Sequence, residues 1–502
     1  MLAGAGALAL LPAAAAVAGT ADTPAPGSPA FVARDTRNVA DAYGRQTAPD
    51  GQLTPDYLLA LQRVSTTTEA AQLLQQATRP NHPAISPGNL APGWNVGNPY
   101  RDKWNGTRGR IAPVRFANRY GADLVGDVFA PLPGARDPYT GRAVTGPFPA
   151  VVITPGSVQG SERMYWWLAE DLAERGYVVL TFDTQGQGRS ETLPHQDPPP
   201  LAPNVPGAKI TPNVPFCDPL LPPAQYESNG CPGVPSQQAS NFVVGTEDAI
   251  SFLLSTPAKR YRGTSNPYWQ QIDRRPDATP TAPGRTAKVA VIGHSLGAFA
   301  VSYLQGVDPR IATTVALDKL SSGAGTNPPG VSLPLTTPVV PALGVQSEYG
   351  FTVAPYTLNG GSSLAPQPLP PNQAPDRRRE LATGYDAWRA RAVDSMVVVP
   401  RASTHLEYTD LPLGLPASRY GQDLASHYVQ AWLGKYLKDD PSADTSLLAT
   451  RFRYLEPTSS GAWKPVTLDR NPHLSYQFCS AYSWTRTGGG RVSSKDVNGV
   501  GC

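Results

Sequence analysis

Apolar and polar positions fall into two patterns along the middle of the chain. Ile111–Asn118 and Leu124–Ala130 alternate apolar with polar residues around Tyr120-Gly121, which predicts an antiparallel hairpin. Beyond it the apolar runs become continuous, as strands covered on both faces require. They are Ala150–Thr154, Tyr177–Phe182, Lys288–Ile292, Ile311–Leu317, Val339–Val345 and Ser395–Val399, the last convincing one. Helical spacing predicts helices over Glu162–Arg175 (N-cap Ser161), Asn241–Ser255 (closed by Pro257), Leu296–Gln305 and Gly421–Leu437. Tyr57–Gln75 predicts one more, near the start of the chain. Strand–helix alternation after an antiparallel opening predicts an α/β fold. It has a mostly parallel sheet, helices on both faces and long loop insertions.

These patterns divide the 502 residues into an N-terminal extension (22–108), an α/β domain (109–440) and a C-terminal extension (441–502) expected to pack on it. Thirteen of the 55 prolines lie between Pro194 and Pro235, inside an irregular insertion over 184–240. So many fixed φ angles exclude helix and central strand. Because the insertion follows the Tyr177–Phe182 strand, it is expected to border the site as a lid. A second irregular stretch is Gly360–Pro375.

Composition narrows the function classes. Lys+Arg 42 against Asp+Glu 39, with no basic concentration, leaves nucleic-acid binding without an electrostatic footprint. Arginine outnumbers lysine 33 to 9 and alanine is abundant, which points to a GC-rich bacterial genome. The first 21 residues carry no charge. Pro12 and the small residues Ala16, Ala18, Gly19 and Ala21 favour an export signal over an anchor. Without another long apolar run, the mature protein is expected to be secreted, with no membrane span. Cys217 and Cys231 share the proline-rich loop, and Cys479 pairs most simply with Cys502, one of three connectivities. There is no Cys-x-x-Cys and no His–carboxylate cluster at ligand spacing, so neither a metal nor another cofactor is expected. Gly186-Gln-Gly188 lacks the third glycine and the Lys-Ser/Thr of phosphate loops. Of Trp166-Trp167, only one can face the core.

The chemistry lies in Gly293-His294-Ser295-Leu296-Gly297, between an apolar strand and an Ala-rich helix. A Gly-x-Ser-x-Gly turn in that setting lifts the serine out of the sheet, and only glycine tolerates the crowding on either side. Such a serine needs a base. Of six histidines, His294 sits in the turn with its side chain directed elsewhere, and His427 lies within the last helix. His82, His195 and His473 lie in extensions and loops. His405 follows the Ser395–Val399 strand, at the carboxyl edge where parallel sheets carry their sites. Two acids end intervening strands, Asp318 in Ala316-Leu-Asp318 and Glu348 in Ser347-Glu-Tyr349, and either can orient the imidazole.

With Thr154-Pro155-Gly156-Ser157, Asp183-Thr-Gln-Gly186-Gln-Gly188-Arg189-Ser190 and Ser403-Thr-His405, these motifs make residues 110–437 resemble the α/β-hydrolase superfamily. Within it, the chain is similar to secreted platelet-activating-factor acetylhydrolases and cutinase-like polyester hydrolases. The acetylhydrolase likeness favours Asp318. The cutinase-like branch takes its acid near Glu348, but as Asp. Both extensions and the proline-rich insertion match neither branch. The resemblance implies a serine esterase of lipase type, with oxyanion donors at the Leu296 and Ser157 backbone N–H groups. Small-molecule, lipid and polyester esters all fit. An amidase, peptidase or acyltransferase with the same residues, and a non-catalytic binding protein on this fold, are the competing expectations.

Overall fold

The computed structural model describes residues 23–78, 93, 96–157, 161–191, 209–210, 239–285, 287–322, 331–332, 337–359, 368–411 and 417–502. The expected leader, Cys217, Cys231, His82, His195 and all but two residues of the expected lid between 192 and 238 lie outside them.

The labelled helices are α1 (Pro29–Thr47), α2 (Pro55–Ala77), α3 (Trp166–Glu174), α4 (Ala239–Leu253), α5 (Leu296–Leu304) and α6 (Tyr420–Lys438). The strands are β1 (Gly109–Ala117), β2 (Asp123–Pro131), β3 (Ala150–Thr154), β4 (Val178–Phe182), β5 (Val289–His294), β6 (Ile311–Leu317), β7 (Ala342–Val345) and β8 (Ser395–Val398). After them come β9 (Arg451–Pro457), β10 (Trp463–Asp469), β11 (Ala481–Thr485) and β12 (Arg491–Ser494). One ten-stranded sheet runs β1-β2-β4-β3-β5-β6-β7-β8-β11-β12. From β4 to β8 all pairings are parallel. The β1–β2 hairpin joins β4 antiparallel. The chain is thus an α/β protein with a large, mostly parallel central sheet.

Pleating sends successive side chains to opposite faces. Val151 and Ile153 pack with α3 and α6 on one face, whereas Ala150 and Val152 pack with α4 and α5 on the other. Each fully buried Val, Ile or Leu contributes about 1.5–3 kcal/mol relative to exposure, and two-sided burial explains why these runs carry no polar alternation. Connections leave β3 toward β4 in one direction and β5 toward β6 in the other. The crevice outside the carboxyl ends of β3 and β5 is therefore the topological switch point, where open α/β sheets bind ligands.

Three features differ from the sequence expectation. Helix α1 was not predicted. Ser28 Oγ accepts the Phe31 N–H at 3.2 Å and Pro29 opens the helix. Its buried stripe, Phe31, Asp35, Asn38, Ala42 and Gln46, is mostly polar and leaves no apolar period to read. The segment expected as one helix over Glu162–Arg175 begins as a 3₁₀ turn, Glu162–Tyr165, capped by Ser161 Oγ, before α3. Ser395–Val399 is not the last strand either. Beyond β8 the chain forms a separate β9–β10 hairpin, and β11 then pairs antiparallel with β8 (Met396 opposite Tyr482). Of these late strands, β9, β10 and β12 expose polar residues along their length. Cys479 and Cys502 form a disulfide.

Candidate active site

Adjacent strands bring the candidate residues to one edge. In the ladder Thr154 pairs with Gly293, His294 with Leu317, and Leu317 with Val345. The residues leaving β3, β5, β6 and β7 are therefore neighbours: Pro155–Ser157, Ser295, Asp318 and the Gln346–Gly350 loop.

Ser295 occupies the turn from β5 into α5 with φ 56° and ψ −120°. That left-handed φ is strained for a residue with a side chain, costing on the order of 1–3 kcal/mol. Its N–H donates to the Leu317 carbonyl at 3.1 Å. A Cβ at Gly293 would collide with the Gly297 carbonyl, and one at Gly297 with the carbonyls of Thr154 and Pro155. Both glycines are thus set by backbone approach. The half-buried Leu296 is the first residue of α5, where N–H groups have no intrahelical acceptor and the helix dipole favours negative charge. Ser157, also half-buried, follows Gly156 in the loop seated on this turn. A Cβ on Gly156 would lie 3.1 Å from Ser295 Cβ.

His405 opens a 3₁₀ turn, His405–Tyr408, capped by Thr404 Oγ1. Its N–H donates to the Gly350 carbonyl at 2.7 Å, and its Nδ1 lies 2.5 Å from Asp318 Oδ2. Phe351, 38% exposed, meets the imidazole edge-on with ring centres 5.3 Å apart. Asp318 Oδ1 accepts the Ser347 N–H at 3.1 Å and Oδ2 the Ser347 hydroxyl at 2.7 Å. Burial alone would raise this carboxyl. The hydrogen bond and charge of His405, with Lys319 and Ser347, outweigh burial and hold it well below the usual carboxylate range.

Glu348 sits elsewhere. Its Oε2 accepts from Asn38 Nδ2 and the Ala402 N–H, each at 2.6 Å, and its Oε1 from Ser475 Oγ at 2.7 Å and the Tyr476 N–H at 3.2 Å. Burial raises its pKa against those hydrogen bonds. Of the two acids offered by the sequence, Asp318 is the one on His405. Glu348 ties the Gln346–Gly350 loop to α1, to the Ala402 N–H and the Ser403 hydroxyl, and to the Ser475–Tyr476 segment.

Two contributors escaped the sequence reading. The buried His294 side chain does point away from the serine, but it bridges Tyr165 Oη (Nδ1, 2.8 Å) and the His405 carbonyl (Nε2, 2.8 Å). Tyr165 Oη accepts the Gly156 N–H at 2.8 Å. A histidine inside the serine turn was the available signal for the first; nothing marked Tyr165. Nearby, Gln187 Nε2 donates to the Gly156 carbonyl at 3.0 Å. The Asp183–Ser190 loop is anchored by Arg189, whose Nη2 reaches Asp127 and Glu162 at 3.0 and 2.6 Å. Trp167 is buried with its Nε1 on the Tyr408 carbonyl, and Trp166 packs half-buried against Phe129. His427 stacks on Phe452 at 4.0 Å.

Among the described residues, Cys479, Asp496 and Cys502 lie close enough together to suggest a metal, but the two sulfurs are bonded to each other. No helix among the described residues is long and apolar enough to cross a membrane.

No family model matches the sequence. The chain is similar to the uncharacterized protein PA2218 of Pseudomonas aeruginosa, 32% identical over 121 residues, which cover 24% of this chain and 29% of that protein. The chain thus spans well under half the length of that relative. A crystal structure of the hypothetical protein PA2218 from the same organism matches 43% of this chain and 46% of its own at 18% identity and a TM-score of 0.25. At that score the likeness carries no structural argument.

Proposed function

We propose that this protein is a secreted serine hydrolase of α/β-hydrolase fold that cleaves carboxylic esters. The observation carrying the reading is the 2.5 Å contact of His405 Nδ1 with Asp318 Oδ2, one strand away from a serine at positive φ. A carboxylate on Nδ1 holds the tautomer that leaves Nε2 as the base, and stabilises the imidazolium once it forms. In this reading Ser295 Oγ attacks the ester carbonyl and its proton passes to His405 Nε2. The Leu296 and Ser157 N–H groups hold the tetrahedral oxyanion; losing one such donor typically costs about 10²–10³ in rate. The imidazolium protonates the departing alcohol, and water then hydrolyses the acyl-enzyme with His405 again as base. Chain order Ser295, Asp318, His405 and an oxyanion loop after β3 also support the assignment. The Cys479–Cys502 disulfide supports export to an oxidising compartment.

A fluorophosphonate should label one residue, Ser295, and Ser295→Ala should abolish both labelling and hydrolysis of p-nitrophenyl esters. Stoichiometric labelling that persists in Ser295→Ala removes the assignment. Anilides cleaved faster than the matched esters would move the enzyme to the amidase class.

A further inference from the structure

We propose that Tyr165 and His294 form a positioning relay that sets the oxyanion loop and the His405 loop against the nucleophile through a single imidazole. The proposal rests on the hydrolase reading above. Hydrogen-bond bookkeeping fixes the direction of the relay. The His405 carbonyl can only accept, so His294 Nε2 carries the proton at that 2.8 Å contact. In a neutral ring Nδ1 is then an acceptor, and the Tyr165 hydroxyl donates to it at 2.8 Å. The hydroxyl oxygen takes the Gly156 N–H, also at 2.8 Å. Each donor and acceptor is used once.

The surroundings hold this arrangement. His294 is fully buried, with its ring centre 4.8 Å from that of His405 and 5.7 Å from that of Tyr165. Burial, reinforced by the neighbouring His405 charge, lowers its pKa to about 3, so the ring stays neutral at working pH. A Cβ at Gly156 would come within 2.9 Å of His294 Nδ1, so the loop rests directly on the ring. Because Tyr165 occupies the Gly156 N–H, the next amide, Ser157, is the one left to face an oxyanion. The same imidazole, through Nε2, grips the backbone of the residue that supplies the base. Neither Tyr165 nor His294 touches the reacting atoms.

Two substitutions at one position separate the halves of the relay. In His294→Asn the side-chain carbonyl reaches the Nδ1 site and keeps the Tyr165 link. In His294→Gln the amide N–H reaches the Nε2 site and keeps the His405 link. With a p-nitrophenyl ester, Tyr165→Phe, His294→Gln and His294→Asn should each lower kcat by about ten- to a hundredfold, the scale of a misplaced loop. KM should stay within about twofold, because binding outside the reaction centre is untouched. A boronic acid that mimics the tetrahedral state should lose affinity in Tyr165→Phe in step with kcat. Adding Tyr165→Phe to His294→Gln should cost less than the product of the two single losses, since both remove the Tyr165–His294 link and only the Gly156 link is newly lost, whereas adding it to His294→Asn should multiply the losses. Multiplicative losses in both double variants, or unchanged kcat in the single variants, overturn the relay. If the His294 variants fail to fold, kcat and boronate affinity in Tyr165→Phe decide alone. A wild-type protein that neither hydrolyses esters nor is labelled at Ser295 overturns the hydrolase reading and the relay with it. An active wild type with indifferent variants overturns the relay alone.

Discussion

Two carboxylates leave neighbouring strands of the same sheet, and their surroundings shift their pKa values in opposite directions. Asp318 follows β6 and Glu348 follows β7, and both are fully or almost fully buried (2% and 0% exposed). Asp318 faces an imidazole that can take up a proton, and its pKa is driven down. Burial drives the Glu348 pKa up, and the amide, hydroxyl and two backbone N–H groups it faces lower it by less than burial raises it. Burial at a strand end therefore does not mark a chemical acid. The partner does: a group able to become cationic makes the carboxylate useful for charge development, whereas neutral donors make it a fastener.

The contrast is broken most directly by comparing two near-isosteric changes. Asp318→Asn should leave the fold intact and lower kcat by about 10⁴, the scale seen when an imidazole loses its orienting carboxylate. Glu348→Gln should lower kcat at most about tenfold. Its main effect should be a loss of stability on the order of 2 kcal/mol in denaturant titrations, because a donor now faces donors. Exchange of these two outcomes would exchange the roles of the acids. A smaller effect tests the reach of the fastener: Asn38→Ala, on α1, should cost about 1–2 kcal/mol while leaving KM unchanged.

The smallest effect is in the pH dependence, and its sign differs for the two acids. Asp318 has a folded pKa below its unfolded value, so its stabilisation is present above about pH 4 and is lost as pH falls through the folded pKa. The penalty of Asp318→Asn should shrink in acid. Glu348 has a raised folded pKa, so its stabilisation is present below about pH 4 and is lost as pH rises through the folded value. The penalty of Glu348→Gln should shrink toward alkaline pH. Unfolding curves of both variants and wild type between pH 3 and 8 measure this; parallel trends would refute the distinction.

The central sheet was legible because two-sided burial writes continuous apolar runs, and β3 and β6 begin and end where those runs do. The serine turn was legible because Gly293 and Gly297 answer backbone crowding. Choosing between the acids was not a matter of pattern. Both end apolar strands, and nothing local says that Asn38 and Ser475 converge on one carboxylate across 310 and 127 positions of chain. Resemblance favoured Asp318, the acid found on His405. Helix α1 was missed because its buried stripe is mostly polar, and β10 and β12 because they bury little. Strands β9 and β11 do bury Phe452, Tyr454 and Trp484 but interrupt them with Arg453 and Ser483. His294 was set aside because a side chain turned from Ser295 carries no signal until the Tyr165 hydroxyl and the His405 carbonyl are seen around it.

The fastener at Glu348 also has a consequence in time. During synthesis the strand ends, the serine turn and the His405 loop are all made before Ser475 and Tyr476, yet two of the four groups clamping Glu348 come from that late segment. A nascent chain can assemble the sheet through β8 while the loop beside His405 is still unlatched. On the ribosome such a chain holds Ser295, Asp318 and His405 but not the late half of the Glu348 clamp.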